Sequence, residues 1–247
     1  MPFRPHDAIP VEPTFDTAIC LAGGQRVGAV VGENPDFENA DYIFTSEQIV
    51  IELKEIQTDW PKLDLYRERI DTLIDTCLAS GRITKAHLDG VVPIARDVRR
   101  DFMQILRRPV KRILEKANRQ IRDTHAHFGH QQGEGVLILV LDGLLSVAPV
   151  NTMALVCKIL LHDYSSISAV IGVTVNEYSE VSGDDYARLL WIPAYKERAT
   201  DRLVEFVDAL GQKWSEHLQD CIGKFDDRYV GLDRSFLDRT SFIRSSS

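Results

Sequence analysis

The sequence predicts an α/β (α+β) fold, a mixed central β-sheet flanked by helices, and three observations carry that expectation. Residues 41–45 and 48–55 are strand-like runs rich in β-branched and aromatic side chains, separated by only Ser46 and Glu47. Residues 135–141 are continuously apolar after Gly135 and end at Asp142-Gly143, which suits a strand covered on both faces. Elsewhere, apolar positions recur every three or four residues, so helical patterns alternate with the strands. With 44% hydrophobic and 27% charged residues, the 247-residue chain has a globular composition, which excludes a disordered, collagen-like or coiled-coil protein.

Taken in order, residues 1–14 hold four prolines within the first thirteen positions and read as an extended arm on the surface. An apolar segment at 15–21 precedes Gly23-Gly24, and residues 26–31 read as a strand entered through that glycine turn. Asn34-Pro35-Asp36 marks a loop before the strand pair. Residues 57–106 change to helical spacing, with apolar Leu65, Ile70, Leu73, Ile74, Cys77 and Leu78, and are expected to form a helical insertion. Ser80-Gly81 ends its first helix, and Pro109 opens a further helix over 109–124, where a missing N–H costs nothing. After the buried run come a helix over 151–162, strands at 167–175 and 186–192, and an amphipathic closing helix over 201–218. Asp184-Asp185 reads as solvated loop, residues 15–230 as one domain, and 231–247 as a polar tail.

Charge and cysteine usage narrow the function classes. Twenty-nine basic against 37 acidic residues leave a net charge of -8, which argues against a protein that coats nucleic acid non-specifically. The balance reverses locally: between Arg96 and Arg122, ten basic residues face only Asp97, Asp101 and Glu115. Within that stretch Arg108, Lys111, Arg112, Lys116 and Arg119 are the expected phosphate contacts of a nucleic-acid partner. The longest uncharged run, 143–157, is too short for a membrane span and is broken by Pro149 and Asn151, so no membrane partner is expected. Cys20, Cys77, Cys157 and Cys221 are widely spaced and read as reduced core thiols of a cytoplasmic protein. The start of the chain shows no apolar stretch of signal-peptide type, so export is not expected.

The strand pair carries the chemistry. If Ser46 and Glu47 form a two-residue turn, Asp41 lies directly opposite Glu52. Directly opposed side chains have Cβ atoms roughly 4.5–5.5 Å apart, and two like charges there repel, so an ordinary sheet avoids the pair unless a cation sits with it. Lys54 shares the face of Glu52 by the period of two, whereas Ile49, Ile51 and Leu53 point to the other side. Two carboxylates with an ammonium beside them suit Mg²⁺ (or Mn²⁺), which takes one or two protein carboxylates plus phosphate oxygens. That donor set implies phosphodiester hydrolysis, with Lys54 holding the attacking water or the phosphate.

Asn39-Ala40-Asp41-Tyr-Ile-Phe44 followed by Ile51-Glu52-Leu53-Lys54 resembles the D…(D/E)xK signature of the PD-(D/E)xK nuclease superfamily. The resemblance covers about residues 26–141 and implies a restriction-endonuclease-like core in which a strand pair, a helix and another strand follow in that order. It further implies that Asp41 and Glu52 ligate the metal together with the Leu53 carbonyl, and that Lys54 is the catalytic lysine. In RecB-like branches the helix carries a glutamine near the site, and Gln120, on the face of Ile113, Ala117 and Ile121, is its counterpart among the catalytic candidates. The chain departs from the pattern in three ways. Ala40 stands where a proline often precedes the aspartate, and Thr124 stands where a tyrosine often follows the glutamine. An acidic residue of the family's first helix has no clear counterpart among Glu12, Glu33 and Glu38.

Other motifs add little. His125, His127 and His130 include an HxH pair that can bind a transition metal, but without a nearby cysteine and in a polar setting a zinc site is not the expected reading. Gly23-Gly24 lacks the spacing of a phosphate-cradling loop, and no GxSxG nucleophile motif is present. The expected function is a Mg²⁺-dependent nuclease cutting DNA or RNA. The alternative is a catalytically inactive protein of the same fold that binds nucleic acid or protein, and a protein partner or homodimer is compatible with either.

Overall fold

The computed structural model describes residues 6–32, 36–161, 163–179 and 188–224. Their architecture is the mixed α/β arrangement expected: a six-stranded sheet in the order β1-β2-β3-β4-β5-β6 with helices on both faces.

The first helix, α1 (Val11–Leu21), replaces part of the arm expected over 1–14, of which residues 1–5 lie outside the described residues. Pro10 takes the extended N-cap position and Pro13 falls in the first turn, where no N–H is required, so the prolines start the helix instead of preventing it. Its apolar side, Val11, Phe15, Ala18 and Ile19, is buried against the closing helix, where Phe15 stacks on Trp214 at 4.1 Å between ring centroids.

The strand expected over 26–31 is also corrected. Strand β1 (Gln25–Arg26) has two residues, and the chain then turns into the short helix α2 (Val27–Val31). The ladder to β2 ends after Val27 N donates to Asp41 O at 2.9 Å, and the Asn39 carbonyl further along accepts from the Gln120 side chain. Without a ladder partner the β-branched run cannot stay extended in a sheet.

Strands β2 (Tyr42–Phe44) and β3 (Ile49–Glu55) form the antiparallel hairpin in the expected register, Tyr42 facing Ile51 and Phe44 facing Ile49. The insertion over 57–106 contains a 3₁₀ turn (Trp60–Lys62) and the helices α3 (Asp64–Ala79), α4 (Lys85–Leu88) and α5 (Arg96–Ile105). It has a small core of its own in Cys77, Ile83 and Val98. Helix α6 (Arg107–His127) is longer than the expected 109–124 at both ends, with Pro109 still within the first turn.

Beyond it, β4 (Glu134–Val140) is buried along its whole length and lies parallel to both β3 and β5 (Ala169–Val173). Helix α6 approaches β4 at Gly135, where a Cβ would lie 2.5 Å from Ile121 Cγ2 and 2.1 Å from Ser166 O. Helix α7 (Pro149–Leu160) begins two residues before the expected 151–162, and His162 lies outside the described residues. Strand β6 (Trp191–Tyr195) falls later than the expected 186–192. Pro193 sits within this edge strand, where the missing N–H is tolerated, whereas Tyr186 lies outside the described residues. Helix α8 (Asp201–Ile222) extends four residues beyond the expected end. Asp184-Asp185 and the tail over 231–247 lie outside the described residues.

The sheet divides two cores. Val50, Leu137 and Leu139 face α6 and α7, whereas Ile49, Ile51 and Ile138 face α1 and α8. Of the four cysteines, all free, only Cys77 and Cys157 are core residues; Cys20 and Cys221 are exposed, which corrects their assignment to the interior. No helix among the described residues is long and apolar enough to cross a membrane.

Candidate active site

The hairpin register continued by one rung sets Asp41 opposite Glu52, which lies at the middle of β3 beside Leu137 at the middle of the parallel strand β4. Alternation puts Glu52 and Lys54 on the α6 face of β3, beside Leu137 and Leu139 of β4. The greasy back predicted for this strand is present in Ile49 and Ile51, which are fully buried on the other face with Leu53 packed partly against them.

The three predicted polar residues come together. Glu52 is 0% exposed, a rare condition for a carboxyl, and its Oε1 accepts a hydrogen bond from Lys54 Nζ. Its other oxygen, Oε2, is buried without a hydrogen-bond donor. Asp41 Oδ2 accepts from the Leu53 main-chain N–H at 2.7 Å, which ties the carboxylate to β3 and brings the Leu53 main chain beside it. Lys54 keeps about a fifth of its side chain in solvent, so the ammonium spans the interior and the surface.

The electrostatics follow from that burial. Glu52 is pushed up to about 8, first by desolvation and next by the charge of Asp41, while Lys54 pulls the other way. Asp41 is also raised by burial, opposed by the Leu53 N–H and by Lys54. Two adjacent acids, both held above their ordinary range first by burial, carry when ionised one negative charge more than Lys54 balances. A proton or a small cation can remove it.

Helix α6 supplies what surrounds the pair. Gln120 Nε2 donates to Asn39 O at 2.9 Å, two residues before Asp41, and its Oε1 is buried without a partner. Through Nε2, Gln120 braces the strand entry. Thr124, fully buried one turn further along α6, accepts from Ala40 N at 2.8 Å. The sequence marks Thr124 only as a departure from the family pattern, although a hydroxyl on the apolar face with Ala117 and Ile121 was a visible signal of a structural role. On the same side of the loop, Arg119 pairs with Glu38 at 2.8 Å.

The basic stretch is only partly available. Arg119 is engaged by Glu38, and Lys111 lies 3.7 Å from Glu115. Arg108, Arg112 and Lys116 are exposed at four-residue spacing, so they form one row along α6 that leads toward Gln120, and no ion pair with another described residue engages them. Glu12, whose helix α1 is the first of the fold, forms an ion pair with Arg26 and adds a small repulsive contribution at Asp41.

The histidines behave differently. His125 is buried, pushed down to about 4 by desolvation and by His130, whose Nδ1 lies 3.4 Å from its own, while His127 stacks on Phe37. Among the described residues no three His, Cys, Asp or Glu side chains cluster as a metal-binding group. No family model matches the chain, and neither a curated protein nor a solved structure matches it.

Proposed function

We propose that this protein is a Mg²⁺- or Mn²⁺-dependent nuclease of PD-(D/E)xK type that hydrolyses phosphodiester bonds of DNA or RNA. The observation that carries the reading is the buried carboxylate of Glu52, bound to Lys54 through one oxygen and lacking a donor on the other, with a second acid across the hairpin. A hard cation fits this donor set, since buried carboxylate oxygens without partners are what it ligates. Asp41, Glu52 and the main chain at Leu53 are the groups that would hold it. When bound, the ion would polarise the phosphodiester and lower the pKa of an attacking water.

The chain's own groups do the remaining work. Lys54 reaches the surface and can donate to a non-bridging phosphate oxygen or to the attacking water, where burial strengthens its charge. Arg108, Arg112 and Lys116 form a row of cations along which a phosphate backbone can track. The element order also supports the reading: a strand pair carrying the acids, then α6 after the insertion, then the buried β4.

One observation favours the alternative of an inactive binding module with this fold. Lys54 is committed to Glu52, so the ammonium is already engaged. Titration with Mn²⁺ separates the two. Saturable binding that is lost in Asp41→Ala and in Glu52→Ala supports the nuclease. Cleavage of single- and double-stranded DNA and RNA, abolished by Lys54→Ala, completes the test. No Mn²⁺ binding by the unaltered protein, with nucleic-acid affinity retained, would establish the alternative.

A further inference from the structure

We infer that Thr124 and Gln120 are positioning residues that set Asp41 against Glu52 by clamping one peptide unit. The inference rests on the nuclease reading for its purpose, though not for its geometry. Asn39 O and Ala40 N belong to the same peptide group, and the two α6 side chains take both of its polar atoms: Gln120 Nε2 donates to the oxygen at 2.9 Å, and Thr124 Oγ1 accepts from the nitrogen at 2.8 Å. Residues 120 and 124 are four apart on α6, so they stand one above the other on one face, the spacing needed to grip both ends of a single peptide.

A peptide group is planar, so two directional hydrogen bonds to its oxygen and nitrogen restrain the plane as a unit, and the two backbone rotations of Ala40 are what remains before Asp41. On the far side, Val27 N donates to Asp41 O at 2.9 Å and Leu53 N donates to its carboxylate at 2.7 Å. Asp41 is thereby held from both sides, although it stands one residue outside β2. Ala40 and Thr124 are each 0% exposed, so no water competes for the bond between them.

The clamp also links two departures from the superfamily pattern. Ala40 stands where the resembled pattern often has a proline, which would restrict the backbone by its ring, and Thr124 where it often has a tyrosine. Only a residue with an N–H can donate to Thr124, so the bond requires a residue other than proline at position 40.

The test compares Thr124→Val, which keeps the shape and removes the acceptor, with Thr124→Ser, which keeps the oxygen. Two quantities are read on the full chain: hydrogen exchange at the Ala40 amide, which needs no metal, and Mn²⁺ affinity by calorimetry. The expected result is about tenfold faster exchange and about tenfold weaker Mn²⁺ binding in Thr124→Val, the scale of one lost hydrogen bond, with Thr124→Ser close to the unaltered protein. Unchanged exchange in Thr124→Val overturns the clamp. Faster exchange with unchanged Mn²⁺ affinity overturns its role at Asp41. If the unaltered protein binds no Mn²⁺, the nuclease reading fails, while Ala40 exchange still decides whether the peptide is clamped. Should Thr124→Val not fold, Gln120→Met at a half-buried position removes the other grip, and undiminished Mn²⁺ affinity in that variant overturns the inference.

Discussion

Between pH 6.5 and 8 the metal-free protein should lose stability as pH rises, and replacing Glu52 by glutamine should abolish most of that loss. In the folded chain Glu52 is raised from 4.5 to about 8, whereas unfolding restores the ordinary value. The folded state therefore holds an extra proton across that interval. Its contribution is complete below 4.5 and gone once the pH has passed through about 8. One proton across one pH unit is worth about 1.4 kcal/mol, which bounds the fall between pH 6.5 and 8 at about 2 kcal/mol. Glu52 has no solvent exposure, so screening does not reduce this bound.

Other groups act mainly outside this interval, and with the opposite sign. His125 is depressed from 6.5 to about 4, so its contribution is complete above 6.5 and is lost as pH falls. Lys196 is depressed from 10.5 to about 8 by burial, so its contribution is absent below about 8 and grows above it. Urea unfolding in chelator, followed by tryptophan fluorescence at pH 6.5 and 8, measures the difference. Glu52→Gln keeps the side-chain shape and cannot ionise. A flat profile in the unaltered protein, or an equal slope in Glu52→Gln, would refute the electrostatic account. Saturating Mn²⁺ should abolish the slope, since a cation holds Glu52 ionised in the folded state as it is in the unfolded one.

Three further outcomes follow from the same geometry. Lys54→Met should lower cleavage by about two orders of magnitude, the scale of a lost proton-transfer or phosphate-orienting group. Its Mn²⁺ affinity, by calorimetry, should be kept or increased, because one competing cation is gone from Glu52. Reversing Arg108, Arg112 and Lys116 to glutamate should weaken nucleic-acid binding and reduce the slope of log affinity against log salt by up to about three, measured by fluorescence anisotropy; an unchanged slope would remove α6 from the interface. Ala40→Pro should cost about 1–3 kcal/mol in urea unfolding, because a buried bond to Thr124 is lost, and full stability in that variant would mean that the bond contributes nothing.

Much of the site was legible because it obeys local rules. A two-residue gap fixes a hairpin register, and the register with the period of two sets Asp41, Glu52 and Lys54 on one face. The continuously apolar run of β4 announced a strand covered on both sides. Errors arose where a segment's state depends on who pairs with it. Residues 27–31 have the β-branched content of a strand, yet their ladder to β2 ends at Val27 and they coil into α2. The prolines of the first segment suggest an extended arm, yet Val11, Phe15, Ala18 and Ile19 find a partner in α8, two hundred residues away in the chain.

The amino-acid order by itself determined the fold class, the hairpin and the identity of the paired acids, because strand pairing across a short turn and side-chain alternation are set by neighbours within about ten residues. Tertiary structure alone decided how deeply Glu52 is buried, which of its oxygens is left without a donor, and that α6 grips the peptide before Asp41. Those properties depend on contacts between segments some eighty positions apart, and no local pattern encodes the distance between them.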